Sequence, residues 1–240
     1  MNPDYEIKEW NETNSNLENN KFAQNALKNK KWAFVSDIAR LHALLAEGGF
    51  YFDTDVELCR PLRELNIPKD KLTMGYMYDC ALGTAVMYAP PNHYILKNIL
   101  NLYEYVKEEC YPVNNTIFTD YFINNVSNFL LNGKKWENEF VKIFPKEFFE
   151  QPAFIRTHGF SIHHCSNSWM PTNNGEIKFD IDRVHFIKWL KRKINTAIAL
   201  HKNEFYPYYK AARKGISLHK PYNWMIESKS HEHLKNSQNA

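Results

Sequence analysis

The run Ser36-Asp37-Ile38-Ala39-Arg40, followed by Gly48-Gly49-Phe50-Tyr51-Phe52-Asp53-Thr54-Asp55, constrains this chain more than any other stretch. From Trp32 onward, Phe34, Ile38, Leu41 and Leu45 recur at helical spacing, so one helix face can pack on a sheet. Asp37, Arg40 and Leu44 fall on another face, where Asp37 and Arg40 are neighbours because residues three apart lie side by side on a helix. Gly48 and Gly49 predict the end of that helix, where a left-handed residue is needed. Phe50-Tyr51-Phe52 is short and wholly apolar, which predicts a strand buried on both faces. Alternation along the extended chain then puts Asp53 and Asp55 on one side.

Two carboxylates held that close repel unless something positive sits between them. Oxygen ligands of this kind suit Mg2+ or Mn2+, ions that keep open positions for substrate phosphates. The whole block therefore reads as a device for presenting a divalent cation and a diphosphate at the carboxyl edge of an α/β sheet. Asp-x-Asp by itself is a weak signal, and the second copy, Asp180-Ile181-Asp182, reads as a solvated turn before a helix. Arg40 also reads as a salt-bridge partner of Asp37, a role compatible with ligand binding.

A second cluster lies at Ser161-Ile162-His163-His164-Cys165-Ser166-Asn167-Ser168-Trp169. If Ser161 to His164 is a strand, Ile162 and His164 share one face and His163 takes the other. Spacing alone leaves open which histidine points inward. Imidazole is a suitable Mn2+ ligand at neutral pH, and the Trp169 indole offers a single N–H donor.

Ser-Asp-x-x-Arg, a Gly-Gly-x-Tyr-x-Asp-x-Asp strand and a later His…Ser-Trp together resemble a family of glycosyltransferases. They are similar to the DXD sugar-transferring region shared by bacterial capsular polysaccharide synthesis transferases and yeast-type initiating mannosyltransferases. The large clostridial glucosylating toxins carry a related block. The resemblance runs from about Asp4 to Trp169. It implies a GT-A fold, a UDP- or GDP-sugar donor, Mn2+ or Mg2+, and hexose transfer with retention to a saccharide or lipid-linked acceptor. By the same resemblance Asp37 and Arg40 contact the donor sugar and its phosphate side, and Asp53 reaches ribose or sugar hydroxyls and lies by the metal. Asp55 ligates the metal, His164 completes its shell, and Ser168 and Trp169 approach the metal and β-phosphate.

Two departures from that pattern stand out. Members open with an Ile-Pro-Lys-x-Ile-His-x-x-Trp strand and a helix, whereas this chain begins Met1-Asn2-Pro3-Asp4, so the expectation is a fold lacking its usual first βα unit. Gly83 stands where the family often has an Asn that contacts the sugar. Two rival readings accompany the transferase: a haloacid-dehalogenase-type phosphatase, whose aspartyl nucleophile loop also fits Phe50 to Val56, and a catalytically inactive sugar- or partner-binding remnant.

At 240 residues, with 44% apolar and 15% aromatic side chains, the chain can bury a sizeable core. A net charge of +3 is too small for nucleic acid, which calls for a concentrated basic face. Cys59, Cys80, Cys110 and Cys165 have neither metal-ligand spacing nor a disulfide-dense pattern, which suits a reducing cytoplasm. No signal peptide or transmembrane run is evident.

Predicted elements alternate: a strand at Tyr5 to Glu9, a helix from Leu17 to Asn29, then the motif helix and strand, then Val56 to Cys59. Leu72 to Tyr78, Thr84 to Ala89 and Val141 to Phe144 follow as strands, with helices after Pro90-Pro91 and over Thr116 to Leu131. This pattern predicts an α/β layer sandwich, and the resemblance implies that it is a GT-A-like single-domain α/β/α sandwich with a Rossmann-like nucleotide-sugar-binding sheet. Residues 1–182 form the expected catalytic domain, 183–222 a helical extension and 223–240 a disordered polar tail. Within the extension, Val184 to Lys202 draws as a helix with Lys188, Lys191, Arg192 and Lys193 clustered. Such a helix suits peripheral contact with an anionic membrane at the cytoplasmic face, or a solvated face on the domain.

Overall fold

The computed structural model describes residues 2–150, 159–165, 194–195, 197–198 and 200–226. Helix α1 (Lys21–Lys28) follows a 3-10 turn and is capped by the Asn20 side chain, which accepts from the Ala23 N–H. Phe22 and Ala26 lie buried on one side of it, as their spacing requires. Helix α2 (Trp32–Glu47) buries Val35, Ile38, Leu41 and Leu44 together with Asp37 and Arg40, while Trp32 at its start is 56% exposed. Strand β1 (Gly49–Phe52) leaves α2 directly.

The remaining elements are β2 (Val56–Leu58), β3 (Leu72–Tyr78), β4 (Ala81–Ala89), α3 (Tyr94–Leu102) and α4 (Asn114–Asn125), then β5 (Trp136–Glu137), β6 (Val141–Phe144), α5 (Lys146–Phe149), β7 (Ser161–His163) and α6 (Tyr206–Ala212). Five strands form one sheet in the order β1-β4-β3-β6-β5. Its pairs are antiparallel except β3–β6, so the sheet is mixed and flanked by helices. The α/β class expected from the sequence is the one observed. Strands β2 and β7 pair antiparallel as a separate ribbon.

Alternation along β1 and β4 separates two apolar layers. Tyr51 and its partner Met87 face the larger cluster, which holds the buried faces of α1, α2, α3 and α4. Phe50, Phe52 and Val86 face a smaller cluster with Leu62, Leu65, Phe144, Phe149 and Phe160. Helix α4 is stitched to β4: Asn115 Nδ2 donates to the Leu82 carbonyl at 2.6 Å, and Thr119 Oγ1 accepts from the Leu82 N–H at 2.9 Å.

Several expectations need correcting. Residues 5–9 form no strand: Ile7 is 95% exposed and the segment joins no ladder. Phe50-Tyr51-Phe52 is a half-buried strand at the sheet edge, because β4 alone pairs with it among the described residues. The helix expected from Thr116 to Leu131 runs from Asn114 to Asn125, ending where Val126 turns extended. Residues 222–226 are packed: Trp224 Nε1 donates to Asp120 Oδ2 at 2.8 Å, Met225 bridges Val106, and Lys220 Nζ lies 2.8 Å from Asp120 Oδ1. Two large apolar side chains and a buried carboxylate hold this segment down where its polar composition suggested disorder. The Asp180-Ile181-Asp182 turn and most of the Val184 to Lys202 helix lie outside the described residues. Among the described residues, no helix is long and apolar enough to cross a membrane.

The exit from α2 is set by two glycines with different demands. Gly48 has φ 70° and Gly49 φ 89°, both in the left-handed region. A Cβ on Gly48 would sit 2.7 Å from Pro91 Cδ and 2.8 Å from the Ala89 carbonyl oxygen, whereas one on Gly49 meets nothing. Gly49→Ala should therefore cost on the order of 1 kcal/mol through backbone strain alone. Gly48→Ala should cost roughly 3 kcal/mol or more, since overpacking adds to strain. Urea denaturation compares them, and equal losses would show that crowding against Pro91 contributes nothing.

Candidate active site

Helix α2 turns Asp37 and Arg40 toward the sheet, and both residues are 6% exposed. Arg40 Nη2 lies 2.9 Å from Asp37 Oδ1, the neighbour pair read from their spacing. Its Nη1 reaches Asp53 Oδ1 at 3.1 Å and donates to the Thr84 carbonyl at 3.0 Å. The guanidinium also stacks 4.7 Å from the centre of the Tyr51 ring, and Tyr51 OH donates to Asp53 Oδ1 at 2.7 Å. One buried cation thus joins the helix, strand β4 and the carboxylate that ends β1. Burial pushes the Tyr51 phenol pKa up, so it stays a proton donor to Asp53.

Asp53 and Asp55 come together through a tight turn and not through strand alternation. The Asp53 N–H donates to the Ala85 carbonyl at 2.8 Å, and the Val56 N–H then returns to the Asp53 carbonyl at 3.0 Å. Strand β2 begins at once and pairs with β7, Val56 opposite His163. That register carries the His163 ring to Asp55, with Nε2 3.3 Å from Asp55 Oδ1. Asp53, Asp55 and His163 each offer one ligand atom, and these atoms lie within 4.8 Å of one another. Two carboxylates and an imidazole, close together and partly buried, fit a dication such as Mn2+ or Mg2+.

His164, the histidine expected at the metal, follows the end of β7 and turns its ring to Glu57. Its Nε2 is 3.1 Å from Glu57 Oε2, and its N–H donates to the Asp55 carbonyl at 3.0 Å. The strand expected over 161–164 ends at His163, and its pairing with β2 brings the His163 ring to Asp55 while the His164 ring meets Glu57. Tyr51 and Glu150 were also not singled out as site residues. Tyr51 carried a usable signal, since it shares a strand face with Asp53. Glu150 carried none, being distant in sequence from both motifs. Ser168 and Trp169 lie outside the described residues.

His163 stands between two acids, with Nδ1 2.6 Å from Glu150 Oε2. Burial opposes charge on the ring, but the Cys165 sulfur and the Glu150 carboxylate outweigh it and push the pKa up to about 11. The raised pKa favours a charged ring facing the carboxylates, and a dication bound through His163 Nε2 would require that nitrogen to be deprotonated.

Asp37 is pushed up to about 6, because burial penalises its charge more than Arg40 favours it, and Asp53 adds repulsion. A folded-state pKa above the unfolded one gives stability that is full below the unfolded value and lost as pH rises through the folded value. Asp120 is raised similarly by burial and is common to wild type and any Asp37 variant. The unfolding temperature of wild type should therefore fall relative to Asp37→Asn as pH rises from about 4 to about 6. Thermal melts across that window check it; a constant gap would mean that Asp37 titrates normally.

Residues 1–74 match a family described as glycosyltransferase sugar-binding region containing DXD motif. No curated protein matches the chain. A solved structure named PaToxG Glycosyltransferase is similar at 23% identity with a TM-score of 0.40, the likeness covering 48% of this chain and 44% of that one. The shared region thus spans less than half of that chain's length. The matched segment holds Asp37, Arg40, Asp53 and Asp55 together, so the DXD glycosyltransferase region expected from the sequence agrees with the family that residues 1–74 match.

Proposed function

We propose that this chain is a metal-dependent retaining glycosyltransferase that moves a hexose from a nucleotide diphosphate sugar to a saccharide or lipid-linked acceptor. The observation that carries the proposal is the convergence of Asp53, Asp55 and His163, with ligand atoms within 4.8 Å of one another, beside the caged guanidinium of Arg40. Asp53, Asp55 and His163 would hold a dication, which when bound would supply charge neutralisation for the departing diphosphate. Asp53 and Asp55 provide oxygens, and His163 provides Nε2. Arg40 holds Asp53 in place and, with Asp37, presents a charged and hydrogen-bonding wall to the donor sugar and its phosphate side. Tyr51 keeps Asp53 oriented through its hydroxyl.

Ser168 and Trp169 are assigned by the motif to the diphosphate side of the site. The basic cluster Lys188, Lys191, Arg192 and Lys193 supports an acceptor held at an anionic surface on the cytoplasmic side, as in surface polysaccharide synthesis. The resemblance of the motif supports retention of configuration and a UDP- or GDP-linked donor.

Calorimetric titration with Mn2+, followed by UDP- and GDP-sugars, tests the reading together with the release of nucleoside diphosphate. Wild type should bind Mn2+ and hydrolyse or transfer from at least one donor. Asp55→Ala should lower metal-dependent turnover by on the order of a hundredfold or more, because a direct ligand is worth at least as much as its supporting shell. Undiminished turnover in Asp55→Ala would remove Asp55 from the mechanism.

A further inference from the structure

Glu150 is a carboxylate that no motif predicts, buried to 3% exposure immediately after α5. Its Oε2 lies 2.6 Å from His163 Nδ1, and its carbonyl accepts the His163 N–H at 3.1 Å. Side chain and main chain of one residue therefore grip one histidine. On the other side of that ring, Nε2 faces Asp55.

The seat for Glu150 is cut into the sheet by glycine. Gly75 of β3 and Gly83 of β4 are opposite each other in the ladder. A Cβ on Gly75 would stand 3.0 Å from the Phe149 ring, and one on Gly83 would overlap the Glu150 carboxylate and stand 2.9 Å from its Cδ. The cross-strand glycine pair thus opens a trough that receives Phe149 and Glu150 together. Further anchors fix the same junction: Ser161 Oγ donates to the Phe149 carbonyl at 2.7 Å, and the Phe160 N–H donates to the Phe148 carbonyl at 2.7 Å.

We propose that Glu150 is the positioning residue of the cation site, accepting a hydrogen bond from His163 Nδ1–H so that Nε2 is aimed at the ion, and that Gly83 is the clearance this requires. The inference rests on reading Asp53, Asp55 and His163 as a cation site. A carboxylate behind a ligating imidazole fixes the ring's tautomer and rotation and raises its basicity. A buried carboxylate is in turn costly without such a partner, so the two groups satisfy each other. Glu150 touches neither ion nor donor and acts only through His163.

Mn2+ affinity and the imidazole 15N spectrum of His163 with Mg2+ separate the possibilities. Glu150→Met, similar in volume and without an acceptor, should weaken Mn2+ binding by roughly 10- to 100-fold and shift the His163 nitrogen signals. Glu150→Gln keeps an acceptor and should recover most of both. Gly83→Ala, whose Cβ would crowd Glu150 Cδ at 2.9 Å and the Met77 nitrogen at 3.1 Å, should reproduce the loss although it alters no polar group, and the near-isosteric Glu150→Gln guards against Glu150→Met failing to fold. Unchanged His163 signals and Mn2+ affinity in both Glu150→Met and Gly83→Ala would overturn the proposal. If wild type and Asp55→Ala bind Mn2+ equally poorly, the functional reading fails instead. The 15N signals of metal-free wild type against Glu150→Met then decide whether Glu150 holds His163.

Discussion

The guanidinium of Arg40 is the interaction on which the rest of this structure depends. A charge buried to that degree is tolerated only if its donors are met, and its contacts come from its own helix, from β4 and from β1 with the residue that follows it. Asp37 comes from one turn earlier in α2, Thr84 supplies a carbonyl from β4, Asp53 closes β1, and Tyr51 offers its ring face. Moving any of these elements would strand either a buried cation or a buried carboxylate. The layer of helices is thereby locked in register with the sheet edge where the acids emerge.

From that lock the site is built outward by backbone pairing. The Asp53–Val56 turn is hung on β4 through the Ala85 carbonyl, and it reverses the chain sharply enough to start β2. Strand β2 then fixes β7, and β7 carries His163 to the acids. Glu150 arrives from the opposite direction, off the end of β6 through α5, into a trough made by Gly75 and Gly83. The site is therefore the meeting point of the sheet edge and the separate ribbon, each contributing charge of the sign the other needs. Asp37 is raised by burial and is held as the ion-pair partner of Arg40.

Local order was well legible. The apolar period of Trp32 to Glu47, the double glycine, the Leu72 to Tyr78 run and the Pro145 stop after Phe144 each correspond to an observed element or its end. Elements that depend on partners were less so. Tyr5 to Glu9 has strand composition but no ladder to join, and Phe50 to Phe52 is apolar enough for a central strand yet lies at an edge. Trp224 and Met225 stand in a polar stretch, and partners from distant chain, Asp120, Val106 and Lys107 among them, explain why both are buried.

The sequence by itself determined that Asp37 and Arg40 share a helix face, that two acids follow a strand, and that His163 and His164 point apart. These are consequences of periods of 3.6 and 2 residues, which need no knowledge of distant chain. Tertiary structure alone decided which histidine meets the acids, that Asp53 and Asp55 converge through a turn, and that Glu150 stands behind the ring. Those outcomes hang on the register of β2 against β7 and on the space left by Gly75 and Gly83. Register and clearance are properties of two segments brought together, and no window of sequence around either one contains them.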